Sequence, residues 1–226
     1  MARSSQALRL AFCSYAAARY ACEHWHYSGK MPAGLAVKVG VWEGGRFIGT
    51  VVFTRGLTNV TRRAEHYGMN RLEACELARV ALDAHQAPVT QIVAAALRLL
   101  KEASPGTRLV ISYADPAQGH LGTIYQAGNW TYVGRSGSVK EYFVGGHWIH
   151  NRTVNDHRAL ARRSGEDLKK RFYEWEGTLP TRQLPPKFIY LYGLDRPAKR
   201  AIAPGLPYPS AEQVSEARRH PSGVEG

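Results

Sequence analysis

The chain is short of acid, of cysteine and of long apolar runs, and each shortage narrows what it can be. Eighteen Asp and Glu stand against 30 Lys and Arg, giving a formal charge of +12 and a pI near 9.8. An excess of that size draws a protein toward polyanions, with nucleic acid first among them. Three cysteines, Cys13, Cys22 and Cys75, are an odd number without framework or zinc spacing, and they suit a reducing cytoplasm. No apolar run approaches the length of a transmembrane span, so no membrane partner is expected, and no internal repeat is visible. What remains is an ordinary folded composition, 44% hydrophobic and 21% charged, in 226 residues. That length holds one sizeable domain with additions, or one domain plus a subdomain.

The basic excess is uneven. Residues 1–150 carry 16 Lys and Arg against 9 acids, 151–200 carry 12 against 6, and 201–226 carry 2 against 3. The middle block centres on Arg162, Arg163, Lys169, Lys170 and Arg171, in a segment, 151–175, that reads as a basic helix. Such a run is usually a solvated helix face, but its density here points to phosphate contact. Arg55, Arg62 and Arg63 lie in a polar, glycine-punctuated stretch, Thr54–Gly68, that reads as a surface loop. They form a second candidate surface for DNA phosphates, with plain solvation the equal alternative. The N-terminal MARSSQALRLAF resembles a transit peptide in being Arg-bearing and acid-free. It continues into SYAAARYAC, and leucine, alanine and aromatic residues recur at helical spacing, so Ser5 to Cys22 is expected to be the first helix.

The stretch LVISYADPAQGHLGTIYQAGNWTYVG, Leu109 to Gly134, organises the rest. Leu109-Val110-Ile111 reads as a buried strand that exits through Ser112, Tyr113, Ala114 and Asp115. One helix is expected next, with Asp115 as N-cap, Pro116 at its first position, Gln118 three after the cap and Gly128 as a left-handed C-cap. A strand, Trp130 to Val133, follows. Side chains leaving the end of the first strand face whatever binds at the opening of the sheet, which makes Asp115, Ser112 and Tyr125 the first candidates for chemistry. For Asp115 a simple helix cap is the rival reading.

Upstream, Val37–Trp42 and Phe47–Phe53 are strands joined by Glu43-Gly44-Gly45-Arg46 as a hairpin. Asn70 to Leu82 passes into a strand in which Leu77, Arg79 and Ala81 share a face. An arginine there needs a carboxylate, Glu73 or Glu76, or else an acidic or carbonyl-bearing ligand. Pro88 opens a helix whose stripe is Ile92, Val93, Ala96, Leu97 and Leu100, ending near Ser104-Pro105-Gly106. Strand, helix and strand Leu109–Ser112 make a βαβ crossover, hence a parallel pair. The cluster His24-Trp25-His26-Tyr27-Ser28-Gly29 gathers functional side chains at a helix exit, though as a metal site it competes with an aromatic loop packing on the sheet. Val139–Phe143 and His147–Ile149 suggest a terminal hairpin, with His147 and His150 on its surface. Leu179 to Lys187 is Pro-punctuated, Phe188–Leu194 is β-prone, and the chain from about Ala203 is expected to be loosely held.

Taken together, VWEGGRFIGTVVF, ELARVALDAHQAPVTQIVAAALRLLKE, the Leu109–Gly134 stretch and KFIYLYGLDRPAKR resemble the bacteriophage Mom family, the DNA modification proteins of Mu-like phages. The resemblance covers about four-fifths of the chain. It implies an α+β fold like that of the GCN5-related N-acyltransferases: a mixed, mostly antiparallel sheet with a splayed parallel strand pair, flanked by helices. Residues 1–150 would be the acyltransferase-like catalytic domain, 151–202 a basic extension packed on the core and contacting DNA, and 203–226 a loosely ordered tail. It implies conversion of adenine in DNA to its carbamoylmethyl derivative at the exocyclic amine, in the cytoplasm of an infected host cell, as protection against restriction.

By the same resemblance, functional positions fall at His26, Tyr27, Arg79, Asp115 and Tyr125, and bound iron would be ligated by His26, Tyr27, Asp115 and Tyr125. The expected partners are DNA, a small-molecule donor of the added group, either acyl-CoA or glycine-derived, and a second copy of the chain as a dimer partner. One departure stands out. Acyltransferases of the broader fold wrap a cofactor pyrophosphate in a glycine-rich turn before the helix, and here that position reads His85-Gln86-Ala87-Pro88-Val89-Thr90. A carbamoylmethyl group is also joined through its methylene carbon, a linkage that acyl transfer from a thioester does not make. The alternative function is a conventional acyl-CoA-dependent N-acyltransferase acting on a protein, RNA or small-molecule amine, and a DNA-binding protein without catalysis is the third.

Overall fold

A computed structural model describes residues 7–144, 146–150 and 177–219. The basic segment 151–175, with Arg162, Arg163, Lys169, Lys170 and Arg171, lies outside the described residues. The chain groups into two compact units. The first comprises Met1–Tyr113, Gly122–Gly134 and Ile189–Tyr208, the second Ala114–Leu121, Arg135–Phe188 and Pro209–Gly226.

The first unit is built on a mixed sheet. Its opening strand, β1 (Leu8–Phe12), lies within the segment expected to be one long helix. Ser14 ends the extended stretch by accepting the Ala17 amide at 3.1 Å, so the first helix, α1, spans Tyr15–Trp25. Strands β2 (Leu35–Glu43) and β3 (Arg46–Arg55) form the hairpin anticipated at the paired glycines, which adopt positive φ of 59° and 83°. The polar stretch after β3 is not a loop: α2 covers Thr58–His66. Its apolar content is slight, but Val60 and Ala64 stand four apart and bury with Leu57 and Tyr67 packed alongside, and this narrow stripe suffices to seat a helix. Strand β4 (Ala74–Leu82), α3 (Val89–Ala103) and β5 (Leu109–Ala114) make the crossover, and α3 buries the stripe read from the sequence, Ile92, Val93, Ala96, Leu97 and Leu100.

After β5 the single expected helix is broken in two. Asp115 caps only a short 3-10 turn, Pro116–Gln118, and Gly119 ends it at φ 75°. Gly122, at φ 83°, starts α4 (Thr123–Ala127). Two left-handed glycines within four residues cannot lie inside one α-helix. The left-handed residue after α4 is Asn129 at φ 57°, and Gly128 has φ −90°. Strand β6 spans Thr131–Arg135.

In the second unit, β7 (Val139–Val144), β8 (His147–His150) and β9 (Thr181–Leu184) form a three-stranded antiparallel sheet in the order β8-β7-β9. The proline-punctuated stretch thus contributes a strand, fastened by Arg182, which donates to Glu141 Oε2 at 2.8 Å. The chain then returns to the first sheet as β10 (Phe188–Gly193) and continues through α5 (Arg196–Ala201) to α6 (Ala211–Arg219), a helix in the tail expected to be loosely held, with Val214 buried.

The first sheet runs β1-β2-β3-β4-β5-β10-β6. Its first four strands pair antiparallel and β4 pairs parallel with β5, so the fold is α+β with a mixed, mostly antiparallel sheet and a parallel pair flanked by helices. One core cluster joins α2, α5, Leu109, Ile111, Ile189 and Leu191, and another joins α1 to Val52 and Ala81. No helix among the described residues is long and apolar enough to cross a membrane.

Gly122 is held against the Tyr190 ring, which a Cβ there would meet at 2.3 Å. Strain from the left-handed backbone and from overpacking adds up, so Gly122→Ala is expected to lose about 2–5 kcal/mol in denaturant melts. Gly137→Ala, where a Cβ meets nothing within 4 Å, is the matched comparison and should change stability little.

Candidate active site

The parallel pair holds for three residue pairs, Ala74 with Leu109, Cys75 with Val110 and Glu76 with Ile111. Beyond them β4 and β5 part, and a polar pair fills the opening. Ser112 Oγ lies 2.9 Å from the Leu77 carbonyl and 2.7 Å from the Tyr125 hydroxyl. A carbonyl only accepts, so the single serine proton goes to Leu77 and the Tyr125 O–H donates to Ser112. Both side chains are buried. Burial pushes the Tyr125 phenol up to about 12, with nearby Tyr27 and Glu76 adding to the rise. Tyr125 therefore keeps its proton at neutral pH and serves as a hydrogen-bonding group rather than a base. It packs among Trp130 and Tyr190, with ring centroids at 5.0 and 5.2 Å, and Gln126 Nε2 donates to the Tyr190 hydroxyl at 3.0 Å.

An irregularity sets the face that Arg79 takes. In the β3–β4 register Phe53 faces Leu77 and Val52 faces Arg79, so Ala78 is an extra residue and a bulge. Directly opposed residues share a face, and the bulge therefore puts Leu77 on one face and Arg79 with Ala81 on the other. The expectation that all three share a face assumed unbroken alternation. On the α1 side, the Arg79 guanidinium donates to the carbonyls of Lys30 at 3.2 Å and Ala78 at 2.7 Å. Glu73, one of the carboxylates expected to balance it, instead accepts from Arg108 at 3.0 Å, and Arg108 also reaches Asp195 at 2.9 Å. Arg79 is half-buried. Its backbone contacts leave its charge available to an anionic or carbonyl ligand.

The HWHYSG cluster follows α1. His26 Nδ1 accepts the Ser28 amide at 3.1 Å and lies 2.8 Å from Ser28 Oγ, which places the proton of a neutral ring on Nε2. The Tyr27 ring lies tilted against that of His26, with centroids 4.3 Å apart, and is half-exposed. His24 Nδ1 instead donates to the Tyr20 carbonyl at 2.8 Å, and its ring lies 4.1 Å from that of Tyr20, so the two histidines do not act together.

Asp115 belongs to the second unit. Its Oδ1 accepts the Ala117 amide at 3.1 Å and its Oδ2 lies 2.9 Å from Lys187 Nζ. It is both the cap that sequence suggested and the partner of a lysine that sequence did not single out. Lys187 is itself placed by two backbone hydrogen bonds with Ser136, its amide donating to Ser136 Oγ at 2.9 Å and its carbonyl accepting the Ser136 amide at 2.8 Å. The first unit thus gathers Ser112, Tyr125, Tyr27, His26 and Arg79, while Asp115 is ordered within the second.

The donors that the resemblance implies for iron have contacts of their own here. Tyr125 holds its proton against a neighbouring hydroxyl, both Asp115 oxygens are engaged, and among the described residues no group of three or more His, Cys, Asp and Glu could hold a metal ion. The basic residues separate by burial. Arg62 is exposed and Arg63 half-buried on α2, whereas Arg55, the last residue of β3, donates to Thr107 Oγ1 and has a buried Nε.

An opened α+β sheet with a serine and a phenol in its opening and a guanidinium on the face that carries α1 is the class of structure these features define. The Mom protein family matches residues 7–210, and the chain belongs to it. It is 27% identical over 153 residues to Methylcarbamoylase mom of Escherichia phage Mu, a stretch that is 67% of this chain and 63% of that protein. The chain thus spans somewhat under two thirds of that relative's length.

A phenol raised from its ordinary 10.0 to about 12 holds a proton that the unfolded chain releases first. Its contribution to stability is fully present below pH 10 and lost as pH rises toward about 12, up to about 3 kcal/mol. Urea melts at pH 9 and pH 11 should show a smaller loss for Tyr125→Phe than for the wild type.

Proposed function

We propose that this protein modifies adenine in DNA, adding a carbamoylmethyl group to the exocyclic amine, on a scaffold of the GCN5-related N-acyltransferase type. What carries the reading is family membership over residues 7–210 together with the Ser112–Tyr125 pair at the parting of β4 and β5. The +12 charge supports a DNA substrate, and exposed Arg62 on α2 with the basic block of 151–200 supplies backbone-binding cations. A phage enzyme of this kind would work in the cytoplasm of an infected cell.

The target amine lies inside the base-paired stack, so the base is taken from a single strand or turned out of the duplex. Half-exposed Tyr27 offers its ring for stacking. Arg79 donates to the carbonyl of the incoming group, fixing the methylene carbon toward the amine. The new bond joins the amine nitrogen to that methylene as the donor's leaving group departs with the electrons of the broken bond, and one amine proton is lost. Family membership makes Asp115, whose carboxylate pairs with Lys187 within the second unit, the acceptor assigned to that proton. Tyr125 and Ser112 set the polar floor of the opening.

Mass spectrometry of nucleosides from cells expressing the protein should reveal a carbamoylmethyl deoxyadenosine. Asp115→Asn and Arg79→Ala should each lower it by about a hundredfold or more. Wild-type levels in Asp115→Asn remove that residue from the chemistry. An acetylated amine product without altered deoxyadenosine decides for the conventional acyltransferase.

A further inference from the structure

Just ahead of α3, a helix of 15 residues, two successive backbone N–H groups, those of Gln86 and Ala87, point to one place. Consecutive amides at the approach to a helix form a donor pair suited to phosphate oxygens. Here the place is filled from within. Glu43 Oε2 accepts from Gln86 at 2.8 Å and Oε1 from Ala87 at 2.7 Å, so each carboxylate oxygen takes one amide.

The carboxylate is firmly placed. Glu43 is 5% exposed and closes β2 in register with Leu8 on one side and Arg46 on the other. The loop it grips is tied on every side. Arg46 pairs with Asp83 at 2.7 Å and donates to the Ala84 carbonyl, the Asp83 amide donates to Ile48 O at 2.8 Å, and His85 Nδ1 lies 2.8 Å from Ala87 O. The first turn of α3 has no acid of its own, and its N-cap is Pro88, without an N–H. Glu43 therefore supplies, from another strand, the negative charge that the positive end of a helix favours. The two backbone hydrogen bonds, Gln86 first, hold its carboxyl below the ordinary carboxylate range, so it is charged at physiological pH.

We propose that Glu43 is the resident anion of this approach to α3 and a specificity-determining residue that closes it to donors carried on a phosphate or diphosphate handle, acyl-CoA included. This deepens the reading above, on which it rests for the existence of a group donor. A phosphate arriving here finds both amides used and a like charge beside it. The donor that fits is one without a diphosphate at this point, such as a glycine-derived compound, held through its carbonyl or carboxylate by Arg79.

The test is a titration of isotope-labelled full-length protein with inorganic pyrophosphate and, separately, with CoA, following the Gln86 and Ala87 amide resonances. In the wild type both should stay in place. In Glu43→Ala both should move with pyrophosphate, with affinity gained by about tenfold or more, since hydrogen bonds to charged groups carry that much. Glu43→Gln keeps an acceptor, removes the charge and should gain less. Should the alanine variant fail to fold, the glutamine variant decides by the same criterion. Saturable shifts of the two amides in the wild type, or no gain in a folded variant, overturn the proposal. Absence of modified deoxyadenosine alongside silent wild-type amides and a gain in the variants overturns the functional reading and leaves this one standing.

Discussion

The parting of two parallel strands is the constraint on which the first unit depends. β4 and β5 share three residue pairs and then separate, and a separated strand leaves buried backbone groups in need of partners. Ser112 answers that need by bonding the Leu77 carbonyl, and in doing so it holds the Tyr125 hydroxyl. The polar pair at the opening is therefore a structural consequence of the split as much as a chemical resource. The crossover helix α3, seated by its five-residue apolar stripe, fixes the two strands as neighbours on one side of that opening.

Around the opening, burial does most of the electrostatic work. It keeps the Tyr125 phenol protonated, and it does the same to the thiols of Cys22, pushed up to about 11, and Cys75, up to about 12, which removes both as nucleophiles at neutral pH. Several carboxylates have firm partners: Glu73 with Arg108, Asp115 with Lys187, Glu43 with two amides. Among the described residues Arg79 bonds carbonyls and no carboxylate, which leaves its charge disposed to meet a ligand.

Much of the architecture was legible because it is written in local pattern. The hairpin at Gly44-Gly45, the α3 stripe and the parallel pair that follows from strand, helix and strand all came from periodicity and turn chemistry. Other elements escaped because the signal was short or non-local. α2 rests on two buried residues, the first part of the expected N-terminal helix is a strand that pairs with β2, and a second left-handed glycine split the expected helix after Asp115. Of the site, Ser112, Tyr125, Arg79 and Asp115 stood out as polar groups in apolar or turn settings. Glu43 and Lys187 did not: one was read as part of a turn and the other as the edge of a proline-punctuated stretch.

By itself the sequence determined the charge, the α+β alternation and which side chains are chemically equipped, because these depend on composition and on spacing along a few turns of chain. Only the tertiary structure decided which of them meet. An extra residue in β4 sends Arg79 to the opposite face from Leu77, and a carboxylate at the end of β2 takes amides 43 and 44 positions further on. Contacts across such separations are set by register and packing, which no local pattern encodes.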